Sequence, residues 1–541
     1  MLRPWFYGFV ALTLGVQVLF ALFWPTGLWS LVVLVPVIGV GIYDVLQRDH
    51  TILRNFPVLG HGRYLMEKIR PEIQQYFIET NIAPHPIARE LRAVVYQRAK
   101  GQLETKPFGT EHNVYNTGYE WAAHSLACTE CPDDRTQEEK DDGVLLDGEQ
   151  PLIAIGGPDC KRPYESSLLN ISAMSFGSLS PTAIRALNRG ASLGKFAHNT
   201  GEGGISPYHL EAGGDLIWQI GTGYFGCRAD DGGFDSGKYR ETVAAESVKM
   251  VELKLSQGAK PGHGGVLPGE KVSPEIASIR GVPVGKTVVS PPRHSAFKTP
   301  IEMLHFVATL RELADGRPVG FKLCMGKRSE FLAVCKAMLE TQIMPDFITV
   351  DGGEGGTGAA PIEFSNSVGM PAQDGWLFAH NALVGSGLRD KITLIGSGKI
   401  LTGFDMVRAF ALGIDACNSA RGMMFALGCI QALRCDSGHC PTGIATQQAG
   451  LFRGLDPTDK GERVRRFHAR TIESLREMLH AMGARTTRDV TPEMLFRRID
   501  RTNVCSLADL YEFLEEGQLH GNEVPQPWQK DWERASAQTF A

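Results

Sequence analysis

Cys429, Cys435 and Cys440 are spaced C-x5-C-x4-C, and Pro441 follows the third directly. Three thiolates on one loop, the last held by proline, suit an iron–sulfur cluster, and three close ligands make a three-iron four-sulfur (3Fe-4S) cluster the natural form. Zinc would ask for a fourth ligand, for which His439 is the local candidate. A further pair, Cys128-Thr-Glu-Cys131, has no matching second pair and reads as ordinary thiols. Lys322 is a different signal: it lies inside the apolar run Val319-Gly-Phe-Lys-Leu-Cys324, where an ammonium is expensive to bury unless an anion meets it. Two late glycine turns, Gly396-Ser397-Gly398 and Ala420-Arg421-Gly422, let backbone N–H groups approach phosphate oxygens closely, and Arg421 can add a charge.

The elements that must position these groups alternate between short β-rich runs and helical stretches. Candidate strands are Leu169–Ser175, Phe196–Asn199, Leu216–Ile220, Met250–Leu255, Val319–Leu323, Phe347–Val350, Ile392–Ile395 and Ala416–Ser419. Eight strand–helix units predict an α/β fold, a closed parallel (β/α)8 TIM barrel, and functional residues of such barrels sit at the C-terminal strand ends. Several runs do end in glycine-rich turns, including Asn199-Thr-Gly-Glu-Gly-Gly204 and the segment Asp351-Gly352-Gly353-Glu-Gly-Gly-Thr-Gly358. The seventh and eighth strand ends are the usual phosphate position of these barrels. In a barrel that holds a flavin, Lys322 meets the negative charge of the reduced ring near N1.

Composition sets the boundaries of this reading. The 541 residues carry a formal net charge of -5, which gives no basic surface for nucleic acid, and eleven scattered cysteines argue for reduced thiols over a secreted disulfide framework. Trp5 to Phe23 and Leu28 to Leu46 are two nearly uncharged runs, each about the ~20 residues a helix needs to cross a bilayer. With Trp24-Pro25-Thr26-Gly27 between them they predict a transmembrane helical hairpin over 1–47. Arg3 before it and Arg48 and Arg54 after it put both ends, and the catalytic domain, in the cytoplasm. Residues 48–165 read as a mixed, mostly helical lead-in, 166–485 as the barrel, and 486–541 as a helical extension.

Ala173-Met-Ser-Phe-Gly-Ser-Leu-Ser180, Asn199–Gly204, Lys254-Leu-Ser-Gln-Gly-Ala-Lys-Pro-Gly262, Ser290-Pro-Pro292, Asp351–Pro361 and Gly428–Gln447 resemble, in that order, the FMN-binding synthase domain of glutamate synthase. The resemblance covers roughly 150–485 and implies FMN, a 3Fe-4S cluster on Cys429, Cys435 and Cys440, and reduction of an imino acid by flavin hydride. It implies FMN contacts at Met174, Ser175, Lys322, Gly352, Gly353, Gly396, Ser397, Gly398, Arg421 and Gly422, and catalytic roles for Lys260, Gln257 and Glu202, with Lys260 meeting a 2-oxoglutarate carboxylate. Departures matter too. Val266 stands where the family has a glutamine, Ile205 where it has a glutamate, and Arg293 where proline is typical.

No amino-terminal cysteine nucleophile follows Met1, so the expected nitrogen source is free ammonium or an amine. Electrons are expected from an external donor: ferredoxin-like, a nicotinamide-linked subunit or a membrane carrier. The remaining expected partners are an oxo acid or imino acid and the membrane, with a homo-oligomer allowed. The function that follows is conversion of 2-oxoglutarate plus ammonia to glutamate or a related amino acid. The alternative is an FMN and iron–sulfur redox enzyme using an amine or a membrane electron carrier instead.

Overall fold

The computed structural model describes residues 3–83, 85–128, 150–521 and 524–540. The chain divides into two compact units, Met1–Ala83 and Pro84–Ala541. In the first, α1 (Arg3–Phe23) and α2 (Leu31–Leu46) are joined by a 3-10 turn over Pro25–Ser30. Their ends fix the direction of travel. Phe6 packs so closely on Gly41 that a Cβ there would come within 2.2 Å of its ring, while Gln17 Nε2 donates to Ser30 Oγ at 2.7 Å. The start of α1 therefore lies beside the end of α2, as a hairpin requires. Arg3–Phe23, and Pro25–Leu46 counted with the 3-10 turn, are each long and apolar enough to cross a membrane. Two shorter helices follow, α3 (Thr51–Asn55) and α4 (Gly60–Ile73), the latter running on as a π turn over Gln74–Ile78.

In the second unit, eight parallel strands close on themselves: β1 (Leu169–Ile171), β2 (His198–Asn199), β3 (Leu216–Ile220), β4 (Val248–Lys254), β5 (Val319–Cys324), β6 (Phe347–Asp351), β7 (Thr393–Ser397) and β8 (Ala416–Ser419). Closure is made by β8 on β1, with Asn418 beside Asn170. This is the (β/α)8 barrel expected from the sequence.

The period of two along each strand sorts its inward residues by height. Ile217, Met250, Phe347, Ile395 and Ala416, near the strand starts, form an apolar plug with Ile155 of the antiparallel pair Leu152–Ile155 and Tyr164–Ser167. One pleat higher stand Asn199, Gln219, Glu252 and Thr349, which are polar, the other three donating to Glu252. Above them come Lys254, Lys322, Asp351, Ser397 and Asn418, at or near the mouth. The barrel interior thus grades from apolar to charged along one axis.

Outside, the long helix Pro457–Ala481 lies across Pro181–Gly194. A Cβ on Gly190 would sit 2.5 Å from Val464, so glycine permits this close crossing. The lead-in contributes helix Arg89–Lys100 and strand Glu120–Ala122, which pairs with Leu495–Arg498, itself paired with Val504–Ser506. That sheet is absent from the helical reading of 486–541.

Candidate active site

The C-terminal ends of the strands surround a cavity of about 930 Å³. The loop after β1 and the loop after β2 meet at its floor, where Gly201 has φ of 65° and a Cβ would lie 2.6 Å from Ser175 N. Only glycine tolerates both conditions.

Lys322 and Asp351 form the central pair on adjacent strands, with Nζ 3.3 Å from Oδ2. Asp351 is held in turn by Gly258 N at 2.9 Å and Ser397 Oγ at 2.5 Å. Burial pulls on the Lys322 ammonium most strongly, yet Asp351 and Glu252 together outweigh it, so its pKa stays above the ordinary lysine value. Glu252 lies wholly inside the barrel and accepts from Gln219 Nε2 at 2.6 Å, Asn199 Nδ2 at 2.8 Å and Thr349 Oγ1 at 2.7 Å.

A second charged group stands at the end of β4. Lys254 Nζ lies 3.0 Å from Glu202 and donates to Gln257 Oε1 at 2.6 Å. Burial pushes the Glu202 carboxyl up, but Lys254, Lys260 and Arg280 more than offset it and its pKa falls below the usual range. Lys260 Nζ donates to the backbone oxygen of Ala359 at 3.2 Å, and burial is the main cause of its pKa lying below the ordinary lysine value. Its Glu202 neighbour works against that fall by favouring the charged form, while Lys254 adds to it.

Cys429, Cys435 and Cys440 line the same cavity. Gly428, at φ of 104°, ends the helix Arg421–Leu427 and turns the chain into their loop. The lead-in helix braces that loop, because Tyr96 OH donates to Cys429 O at 2.5 Å. Lys271 Nζ donates to Cys435 O at 3.2 Å, and Gln447 Nε2 ties the loop to Gly177 O and Leu179 O. Burial raises Cys429 to about 11, with the other two thiols adding to the rise. Burial also presses on Cys440, but Thr442 and the N–H groups of Ala445, Thr442 and Ile444 reverse the effect and lower it. The donors around Cys440 favour the thiolate that a sulfur ligand must be, whereas burial holds Cys429 and Cys435 toward the neutral thiol, so what fits a cluster here is the lining of one cavity by all three. Among the described residues no group of three His, Cys, Asp or Glu side chains is gathered for a single metal ion. His439 is exposed and its Nδ1 meets Ser437 O, away from the thiols' cavity. Cys128 is exposed; Cys131 lies outside the described residues.

For a flavin phosphate and ring the fit rests on three features of the wall. Asn418 Oδ1 is buried without a partner, Gly398 at φ of 142° opens the seventh strand end, and Arg421 reaches over the cavity with Nη2 on Glu354 O at 2.7 Å. Met174, Ser175, Lys322, Ser397, Gly398 and Arg421 line the cavity, as do Lys260, Gln257 and Glu202. Gly352, Gly353, Gly396 and Gly422 stand behind the wall: Gly352 N bonds Ser397 O, Gly353 N bonds Met370 O, Gly396 faces Ile414 and Trp376, and Gly422 faces Phe467. Lining residues that sequence reasoning passed over are Gln219, Lys254, Lys271, Asp351, Glu354, Lys399 and Asn418. The inward parity of the strands identifies Gln219, Lys254, Asp351 and Asn418; nothing local marks Lys271.

Eight parallel strands with charged groups at their C-terminal mouth define a (β/α)8 enzyme. Residues 129–485 match the conserved region in glutamate synthase. The glutamate synthase large subunit-like protein YerD of Bacillus subtilis is 36% identical over 494 residues, covering 87% of this chain and 94% of that protein. Archaeal glutamate synthase [NADPH] of Methanocaldococcus jannaschii is 34% identical over 314 residues, and this chain spans 58% of its length. A solved flavocytochrome b2 variant with sulfite bound aligns over 90% of this chain and 95% of that one at 11% identity and a TM-score of 0.42. The chain belongs to the glutamate synthase family, and with it to the oxidoreductases that act on CH–NH2 donors.

Proposed function

We propose that the cavity binds FMN and a 3Fe-4S cluster side by side and that the enzyme reduces an imino acid, made from 2-oxoglutarate and ammonia, to glutamate or a related amino acid. The observation that carries this reading is the single cavity running from Lys260 and Glu202 past Lys322 and Asn418 to the three thiols. When bound, FMN supplies hydride and the cluster relays electrons from an external donor. The chain's own residues bind and orient. Ser397, Gly398 and Arg421 suit the phosphate, Met174 and Ser175 the ring edge, and Lys322 the charge near N1. Lys260 suits a substrate carboxylate, and the Glu202–Lys254–Gln257 group orders polar contacts beside it. The hairpin of α1 and α2 anchors the enzyme with its catalytic part on the cytoplasmic side.

One observation favours a second reading. Val266, where the family has glutamine, lines the cavity and is 41% exposed; in the second reading an amine or a membrane electron carrier takes the place of ammonia and 2-oxoglutarate. Ile205, by contrast, packs against the core.

The cofactor assignment is tested by content. Cys435→Ser is expected to abolish iron and acid-labile sulfide while FMN stays bound, and Cys128→Ser to leave both at the unmodified level. Iron that survives Cys435→Ser but not Cys128→Ser contradicts the assignment.

A further inference from the structure

Helix α4 and its π-turn extension carry an apolar face that the catalytic reading does not use. Leu65, Ile69 and Ile73 recur four residues apart with Met66 beside them, and Tyr76, Phe77 and Ile78 continue the run. Leu65, Met66, Ile73, Tyr76, Phe77 and Ile78 are exposed, Phe77 by 84%. Exposed cations flank this stripe at Arg63, Lys68 and Arg70, and Arg63 pairs with Glu67 at 2.9 Å. A stripe of this breadth left in water is unfavourable and marks a surface that something covers.

What covers it follows from where the helix starts. Asp44, on the last turn of α2, is fully buried, and its carboxylate accepts from Val58 N at 2.8 Å and meets His61 Nε2 at 2.8 Å. Leu53 of α3 also packs against Gly60, where a Cβ would approach within 2.9 Å. The Asp44 contacts therefore pin the first turn of α4 to the end of the second candidate membrane span, and the Leu53 contact packs that same turn on α3. The apolar stripe begins at Leu65, about one turn beyond His61.

We infer that α4 lies on the lipid surface, its Leu65–Ile73 face and the Tyr76–Ile78 turn sunk at the headgroup boundary and its cations among anionic headgroups. The inference rests on the anchoring role given to α1 and α2 and is independent of the chemistry in the barrel.

The test uses the full chain in vesicles containing phosphatidylglycerol, with a photoreactive residue placed singly at Leu19 of α1, at Met66, at Phe77, or at Glu67 on the opposite side of α4. Lipid adducts are expected at Leu19, Met66 and Phe77, severalfold above those at Glu67. Adducts at Leu19 with none at Met66 and Phe77, or with protein adducts there to a second copy or to the barrel, overturn the interfacial helix and leave the anchor standing. No lipid adduct at Leu19 overturns the anchor and the inference together. In every case FMN content reports separately on the catalytic reading.

Discussion

Lys260 and Val266 stand on one cavity wall and ask different questions of a substrate. A partly buried ammonium draws any oxo acid by charge, whereas the missing glutamine removes a directional contact, and hydrogen-bonding sites discriminate more steeply than apolar ones. Lys260→Ala is therefore expected to lose oxo-acid-dependent oxidation of the reduced enzyme. Val266→Gln is expected to shift preference toward 2-oxoglutarate by about 0.5 to 1.5 kcal/mol, one hydrogen bond's worth. Ratios of kcat/KM for 2-oxoglutarate against smaller oxo acids measure both, and an unchanged ratio in Val266→Gln contradicts the role given to that position. At this scale the sequence was readable where a residue clashed with its surroundings. Lys322 in an apolar strand and three cysteines on one loop announced themselves. Asn418 and Glu252 did not, because a polar residue in a short run looks like a strand end until the pleat assigns it to the interior.

The eight strands were legible because β-rich apolar runs of four to seven residues recurred between helical patterns. Leu216–Ile220 and Ala416–Ser419 fall where expected, and β6 and β7 run on to Asp351 and Ser397, polar residues that hydrogen-bond each other across the sheet. The run expected to reach Ser175 ends at Ile171, since the chain leaves the sheet to press its loop against Gly201. The lead-in helix Arg89–Lys100 showed its period but not its purpose, which is a contact 333 residues away in sequence at Cys429. The polar layer of Glu252 beneath Lys322 is a property of several strands at once. Glu252 accepts three hydrogen bonds there, below the place proposed for the ring, and Glu252→Gln keeps its shape while removing the carboxylate. The flavin midpoint potential is expected to rise, by about 30 mV for each ~1.4 kcal/mol of lost repulsion in a two-electron couple. A spectroelectrochemical titration that finds the potential unchanged or lowered contradicts this layer's electrostatic role.

As a whole the Pro84–Ala541 unit encloses histidines that stay neutral. Burial lowers His209 and His468 to about 3 and His294 to about 4, and it holds His198, with neither ring nitrogen partnered, well below its ordinary value. Unfolded, each titrates near 6.5, at about 1.4 kcal/mol per pH unit and proton. Above that pH their contribution to stability is complete; as pH falls below it the unfolded chain takes protons that the fold refuses, and stability declines down toward the folded values. His198→Leu removes one such proton and is expected to flatten the decline of unfolding free energy between pH 6 and 4, as measured by denaturant titration at each pH; an equal slope contradicts it.

The unit's central task is tested by mixing anaerobically reduced full-length enzyme with 2-oxoglutarate and ammonium and following flavin absorbance and glutamate together. Flavin oxidation is expected to require both reagents and to yield one glutamate per flavin oxidised. Oxidation that is no faster with any oxo acid and ammonium than without them contradicts the amino-acid-forming account and leaves the amine or electron-carrier reading in its place.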